Sequence, residues 1–244
     1  MRQRRTPNLA LVVSVILSLS ACTYTSAAGS AGTGGSSSAT SVATAAPTAV
    51  ALYQLMRRSG AAAKSVHVKG DYIDDGQHLQ LDVAGDRSGT TMRLLVNFGS
   101  GGIEILKVNG DFYLKADATF WTRLSSAATA KVAAGKYVKV PAGSAAGMGG
   151  FRVGTLLAQV FAEDLSSVDK LNATVQKTKL DGVPAYLLTT KVGGDAKIYV
   201  SADGGARLLR ADDAKSGTLD FTQWDGVAPT SAPPDSQLAQ VPIL

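Results

Sequence analysis

Leu19-Ser20-Ala21-Cys22 is the one place in this chain where residue types and spacing dictate a covalent step, and it contains the only cysteine. A thioether to diacylglycerol needs a free thiol, and the small residues Ser20 and Ala21 fit the pocket of a signal peptidase. The lipobox pattern Leu-[Ser/Ala/Thr]-[Ala/Gly]-Cys is matched at all four positions. Ahead of it stand Arg2, Arg4 and Arg5 and an apolar run from about Leu9 to Leu19, the layout of a secretory signal peptide. That run, roughly 11 residues, is far short of the roughly 20 that span a hydrocarbon core. Residues 1–21 therefore read as a lipoprotein signal peptide that directs export and is removed. The competing reading is an ordinary cleaved signal followed by an unpaired thiol. Diacylglycerol and a further acyl chain such as palmitate on Cys22 would anchor the protein to the extracytoplasmic face of the cell membrane, since each buried methylene contributes about 0.8 kcal/mol.

Other groups that could do chemistry are sparse. His67 and His78 flank one turn on neighbouring runs; symmetric pairing would bring them together and raise metal binding as an idea, but no Asp, Glu or Cys accompanies them at ligand spacing. Ser167-Val168-Asp169-Lys170 has the form S-x-x-K, and Lys215-Ser216-Gly217 loosely matches K-[ST]-G. A penicillin-recognising enzyme also needs a Ser-x-Asn element, which the chain does not supply. Asp74-Asp75 and Asp212-Asp213 read as turn and surface charge rather than the paired acids of a glycosidase. With no G-x-S-x-G, Walker loop, dinucleotide fingerprint or calcium loop, the expectation is a protein that is not an enzyme and uses no cofactor and no metal.

Charge argues the same way. The formal net charge of +5 falls to +2 once the three signal-peptide arginines are gone, and the remaining Lys, Asp and Glu are scattered. There is no basic stripe for a phosphate backbone, which argues against a nucleic-acid partner. From Thr23 to Thr48 the chain is Ala, Gly, Ser and Thr apart from Tyr24, Val42 and a single Pro, with no charged side chain. Such a tract cannot offset its chain entropy by burial, so residues 22–48 read as the lipidated cysteine and a flexible tether, about 28 Å in mean span. Residues 49–244 are expected to form a single domain.

The elements that must position anything in that domain follow from periodicity. Val50, Leu52, Leu55 and Met56 predict a short helix that ends near Gly60. Strands are predicted at 66–73, 78–84, 92–98, 103–108 and 112–116, with turns at Asp75-Gly76 and Asn109-Gly110. Val153, Leu156, Leu157, Val160, Phe161 and Leu165 fall at helical spacing. Further strands follow at 173–180, 185–192, 197–201, 207–211 and 218–224, and Pro141–Gly150 reads as a loop. Roughly ten strands with two or three helices predict an α+β fold: a large, curved antiparallel sheet, an incomplete β-barrel, with helices covering its concave face.

Gly110-Asp111-Phe112-Tyr113-Leu114-Lys115 followed by Phe120-Trp121, then Asp181-Gly182-Val183-Pro184-Ala185-Tyr186, Ala196-Lys197-Ile198-Tyr199-Val200-Ser201, Arg207-Leu208-Leu209-Arg210 and Leu219-Asp220-Phe221, stand behind a lipobox and a tether. In this arrangement the chain resembles the actinobacterial LppX/LprG-like envelope lipoproteins, which include LprA and LprF. The resemblance covers nearly the whole mature chain. It implies a LolA-like fold with a helical lid over an apolar cavity, and the carriage of acylated lipids or lipoglycans through the envelope, with an envelope transporter as a candidate partner. The chain departs from that pattern at residues 121–150, a connection rich in Gly and Ala, where a differently shaped cavity entrance is expected.

Independently of the resemblance, Leu81, Val83, Leu94, Val96, Ile103, Ile105, Phe112 and Leu114 on strands, with Leu156, Leu157, Val160 and Phe161 on the helix, form one apolar inward face. Alternation fixes which face is buried and leaves open whether it closes on itself or holds acyl chains. Three functions are compatible: a lipid-binding carrier or chaperone, a structural or interaction lipoprotein with a filled core, and an enzyme whose polar cleft the sequence does not advertise.

Overall fold

Opposite side-chain character at successive residues forces strands, because neighbours along an extended chain face opposite sides of a sheet. The computed structural model describes residues 46–74, 76–99, 101–140, 152–161, 173–189, 196–214 and 217–241, and Pro47–Leu244 forms one compact unit. Cys22, the signal peptide and most of the tether lie outside the described residues, as do Asp75, Pro141–Gly150, Leu165, Ser167, Lys170, Lys215 and Ser216.

Among the described residues eleven strands form one antiparallel sheet. These are β1 (Ser65–Asp74), β2 (Gln77–Asp86), β3 (Thr91–Asn97), β4 (Gly102–Val108), β5 (Asp111–Ala116), β6 (Tyr137–Val140), β7 (Thr174–Leu180), β8 (Val183–Thr189), β9 (Lys197–Ser201), β10 (Leu208–Asp213) and β11 (Gly217–Thr222). Their spatial order is β6-β5-β4-β3-β2-β1-β11-β10-β9-β8-β7. Two meanders are thus joined at β1 and β11, and β6 and β7 are the outer strands of a sheet that does not close into a barrel. Among the described residues four α-helices accompany it: α1 (Ala49–Ala62), α2 (Ala118–Leu124), α3 (Ala127–Ala133) and α4 (Val153–Val160). The α+β class and the large antiparallel sheet are as the sequence predicts.

Turn chemistry sets the register. Asn109 and Gly110 have φ of 52° and 94°, and Asp181 and Gly182 have 50° and 85°, so both pairs make the primed turns that fit the twist of a hairpin. The predicted last strand runs to Trp224, but β11 stops at Thr222 because Gln223 and Asp225 enter the left-handed region. Strand β8 begins at Val183, two residues before the predicted start, and β10 covers 208–213 rather than 207–211.

The largest correction concerns residues 121–150, expected to be a Gly/Ala-rich connection. Before Val140 this region holds most of α2, α3 and the strand β6. The helices are short and started by caps: Asp117 Oδ1 accepts from Phe120 N–H at 2.7 Å, and Ser126 Oγ accepts from Thr129 N–H at 3.1 Å. Beyond β11 the chain returns to the β6 edge, where Leu238 bridges Tyr137 in parallel and Ala239 N–H donates to the Tyr137 carbonyl at 2.8 Å.

All four helices contribute to one apolar cluster on one face of the sheet, here called the inner face. Leu52, Tyr53 and Met56 of α1, Trp121 of α2, Ala130 and Ala133 of α3, and Val153 and Leu157 of α4 meet strand residues there. The outer face carries ion pairs between neighbouring strands, such as Arg93 Nε to Glu104 Oε1 at 2.7 Å and Arg210 Nε to Asp220 Oδ1 at 2.5 Å. A smaller cluster of Leu106, Tyr113 and Tyr137 on that face packs against Leu238.

Candidate functional site

Register places the inner-face residues in rows that run across the strands. One row joins Val138, Leu114, Ile105, Leu94, Val83, Val68 and Phe221 as successive cross-strand partners, and every member is buried. The next row is longer. Ala116, Ile103, Val96, Leu81, Gly70, Leu219, Ala211, Ile198, Leu188 and Val175 are successive partners from β5 to β7, so one apolar line crosses ten strands. Six of these residues, Ile103, Leu81, Leu219, Ala211, Ile198 and Val175, are only half-buried. The line narrows at Gly70, where a Cβ would stand 2.7 Å from Leu219 Cδ2, so glycine lets the Leu219 side chain lie flat across the seam.

All twelve apolar residues singled out in the sequence belong to this cluster or pack against it. Val83, Leu94, Val96, Ile105, Phe112, Leu114, Leu157 and Phe161 are buried; Leu81, Ile103, Leu156 and Val160 are half-buried. The inner face therefore has two regimes. Around β1 to β6 it is covered, with α1 and α4 closing over it; along the second row and toward β7 its apolar side chains retain exposure.

Sequence reasoning missed the β7–β11 half of the long row. The alternation of Leu219 and Phe221 marks β11 as half-buried, but nothing local says that β11 pairs with β1. It also missed two polar groups that the fold carries into the apolar cluster. The Trp121 indole is 2 % exposed, packs edge-on to Phe120 at 5.4 Å between centroids, and its N–H has no hydrogen-bond partner among the described residues. A buried donor in that state costs about 1–3 kcal/mol. The second group is Lys107, buried on the same face, with its ammonium 5.3 Å from the Phe112 ring centroid. Burial pulls its pKa below the usual lysine value, and the nearby Arg152 charge adds to that effect.

The residues with catalytic potential are kept apart. In the β1–β2 register His67 lies opposite Ala84 and His78 opposite Ile73, so the two imidazoles sit at different ends of the hairpin, about 20 Å apart along the strands. Each faces a carboxylate instead: His67 Nε2 lies 2.8 Å from Asp82 Oδ1 and His78 Nε2 lies 2.6 Å from Asp71 Oδ1. Asp212 and Asp213 are consecutive on β10 and so point to opposite faces; Asp212 accepts from the Thr218 hydroxyl at 3.2 Å. An open polar depression of about 380 Å³ is lined by His78, Gln80, Asn97, Gly99 and Gly101. Gln80 and Asn97 are cross-strand partners on the face opposite Leu81, so this depression lies away from the apolar rows.

No family model matches the chain, and no curated protein matches it. Among solved structures the chain is similar to LprF from Mycobacterium bovis, at 16% identity over 76% of this chain and 96% of that one, with a TM-score of 0.47. It is also similar to the Mycobacterium tuberculosis lipoprotein LppX, at 14% identity over 75% of this chain and 98% of that one, again with a TM-score of 0.47.

Proposed function

We propose that this protein is a membrane-anchored envelope lipoprotein that binds acylated lipid or lipoglycan along its inner face and carries or shields it without covalent chemistry. The observation behind this reading is the apolar line from Ala116 to Val175, six members of which keep exposure that a filled core would remove. An acyl chain laid along it gains about 0.8 kcal/mol per methylene withdrawn from water. The Trp121 N–H supplies a donor for an ester or hydroxyl oxygen of the ligand, in keeping with apolar sites that fix orientation through few polar groups. The lipobox ending at Cys22 supports anchoring at the extracytoplasmic face of the membrane, and an envelope transporter is the partner such a carrier needs.

A second reading, an interaction lipoprotein with a filled core, is favoured by the other row, where Val68 is 0 % and Phe221 1 % exposed. The two separate by native mass spectrometry with organic extraction of the full chain, purified from a membrane-containing host. The carrier reading expects bound lipid, lost in Leu219→Trp, which fills the half-exposed line. A mass without lipid after incubation with mixed envelope lipids sinks it in favour of the interaction module.

A further inference from the structure

Charge is distributed unevenly along this chain. From Ala118 to Ala162 there are five Lys or Arg and no Asp or Glu, whereas the mature chain is only +2, so the rest of it is net −3. Within that stretch α2 and α3 pack against each other, and one side of the pair enters the core through Trp121, Ala130 and Ala133. The other side carries Arg123, Leu124, Lys131 and Val132, with Lys136 just beyond α3, and all five are exposed. Arg123, Lys131 and Lys136 form no ion pair among the described residues, whereas Asp111 holds Lys139 at 2.8 Å. The flanking acid Asp117 is engaged by the Phe120 N–H at 2.7 Å.

Apolar side chains stand among these cations. Of the five large apolar residues exposed among the described residues, Leu124 at 52 % and Val132 at 44 % both lie here. Leu124 is one turn beyond Phe120, and i, i+4 neighbours share a helix face, so it continues outward from a side chain that packs on the inner-face cluster. One exposed leucine needs no explanation. Two apolar side chains among unpaired cations, with no acid between them, have the composition of a surface that lies on an anionic bilayer, the apolar groups entering the headgroup region and the cations meeting phosphates. A stable protein partner wants about 1,000 Å² of interface, more than two helices of seven residues, each about 10 Å long, present.

We propose that the exposed side of α2 and α3 is a docking surface for an anionic membrane and sets which part of the domain meets the headgroups. From the reading above the inference takes only the anchor, whose tether of about 28 Å keeps this surface within reach of the bilayer. It needs no ligand on the inner face. The test uses the chain from residue 22 onward with Cys22→Ala, which has neither an acyl group nor a cysteine. Its partners are vesicles of phosphatidylcholine, alone or with about 30 % phosphatidylglycerol.

Co-sedimentation is expected to show binding about a hundredfold tighter to the anionic vesicles, the ratio three surface cations supply, and a fall in that ratio as salt is raised. Arg123→Gln, Lys131→Gln and Lys136→Gln together should cut it to less than about threefold. Arg58→Gln, Lys69→Gln and Lys179→Gln, an equal loss of exposed charge elsewhere, should leave most of it. An environment-sensitive fluorophore on a lone cysteine locates the contact: labels at Leu124→Cys and Val132→Cys should shift to the blue on anionic vesicles, and one at Val183→Cys, an exposed residue of β8, should not. All these positions are exposed, where substitutions are well tolerated. Equal binding to both vesicles, equal losses in the two triple variants, or a response at residue 183 as large as at 124 and 132 overturns the inference. So does binding to neither vesicle, the outcome expected of a surface that faces a protein. Bound lipid in the extracted protein is a separate signal, so the carrier reading and this one can each fail while the other stands.

Discussion

Gly60 of α1 lies so close to Phe161, the residue after α4, that a Cβ built on the glycine would stand 2.2 Å from Phe161 Cε2. The contact fixes how closely the two helices approach over the inner face, and Arg87 reinforces it by donating from Nη1 to the Gly60 carbonyl at 2.7 Å. Alanine at position 60 gains helix propensity of about 1 kcal/mol but must displace an aromatic ring, so the clash wins. Gly60→Ala is expected to lower stability by a net of about 1–2 kcal/mol, a fall of several degrees in Tm by calorimetry. Phe161→Leu in the same chain should recover most of it, and a rise in Tm on Gly60→Ala alone would contradict the contact.

The two rows of the inner face predict unequal costs for similar truncations. Leu94→Ala, in the buried row, is expected to lose about 2–5 kcal/mol. Ile198→Ala, in the half-exposed line, should lose less than half of that, since part of its surface is already in water. Urea unfolding of both variants measures the difference, and equal losses would show that the line is as tightly covered as its neighbour.

Tyr137 gives an alkaline signature. Burial, then the Glu104 charge and the hydrogen bond its carboxylate accepts, push the phenol up to about 12 against an opposing pull from Arg93. The neutral phenol is thus favoured in the folded state, and the stability this contributes is complete below the ordinary tyrosine pKa of about 10 and is lost as pH rises through about 12. Ultraviolet titration should find a late-ionising tyrosine absent from Tyr137→Phe, and that variant should show a shallower loss of stability across this window.

Asp86 works in the opposite direction at acid pH. Burial alone would raise its pKa, but the Ser88 hydroxyl, the Thr91 and Thr90 N–H groups and the Thr91 hydroxyl together hold it down to about 2. The stability it contributes is present above the unfolded value of about 4 and is lost as pH falls through about 2. Asp86→Asn is expected to destabilise the protein by about 1–2 kcal/mol at neutral pH and to flatten acid unfolding between those limits. A variant with an unchanged acid profile would show that the turn holds without the charge.

Much of the fold is legible because it is written in local alternation. Leu79, Leu81 and Val83 announce β2, and Asp181-Gly182 announces the turn into β8, where a two-residue hairpin requires left-handed backbone. The α2 and α3 helices are harder to see: each is seven residues long, held by the cap residues Asp117 and Ser126 and by packing of Trp121, Ala130 and Ala133 into the core. Seven residues are too few to display a helical period. The site is half legible for a related reason. Alternation shows that Ile103 and Leu81 face inward, but the continuation through Leu219 to Val175 depends on the pairing of β1 with β11, which no window of neighbouring residues contains. Lys107 reads as one more charged strand residue until parity with Ile105 places it on the apolar side.

That pairing has a consequence for the order in which the molecule can be made. His67 and its partner Thr222 are 155 positions apart, and a ribosome working at about 5–20 residues per second takes roughly ten to thirty seconds between them. Throughout that interval the first meander can assemble while β1 keeps an open hydrogen-bonding edge, a template for wrong partners. Lys69 and Asp71 put charged side chains along β1, a device that blunts apolar edge-to-edge association. The first strand synthesised is thus the last to gain its second neighbour, and almost the entire chain must be made before the seam at its centre can close.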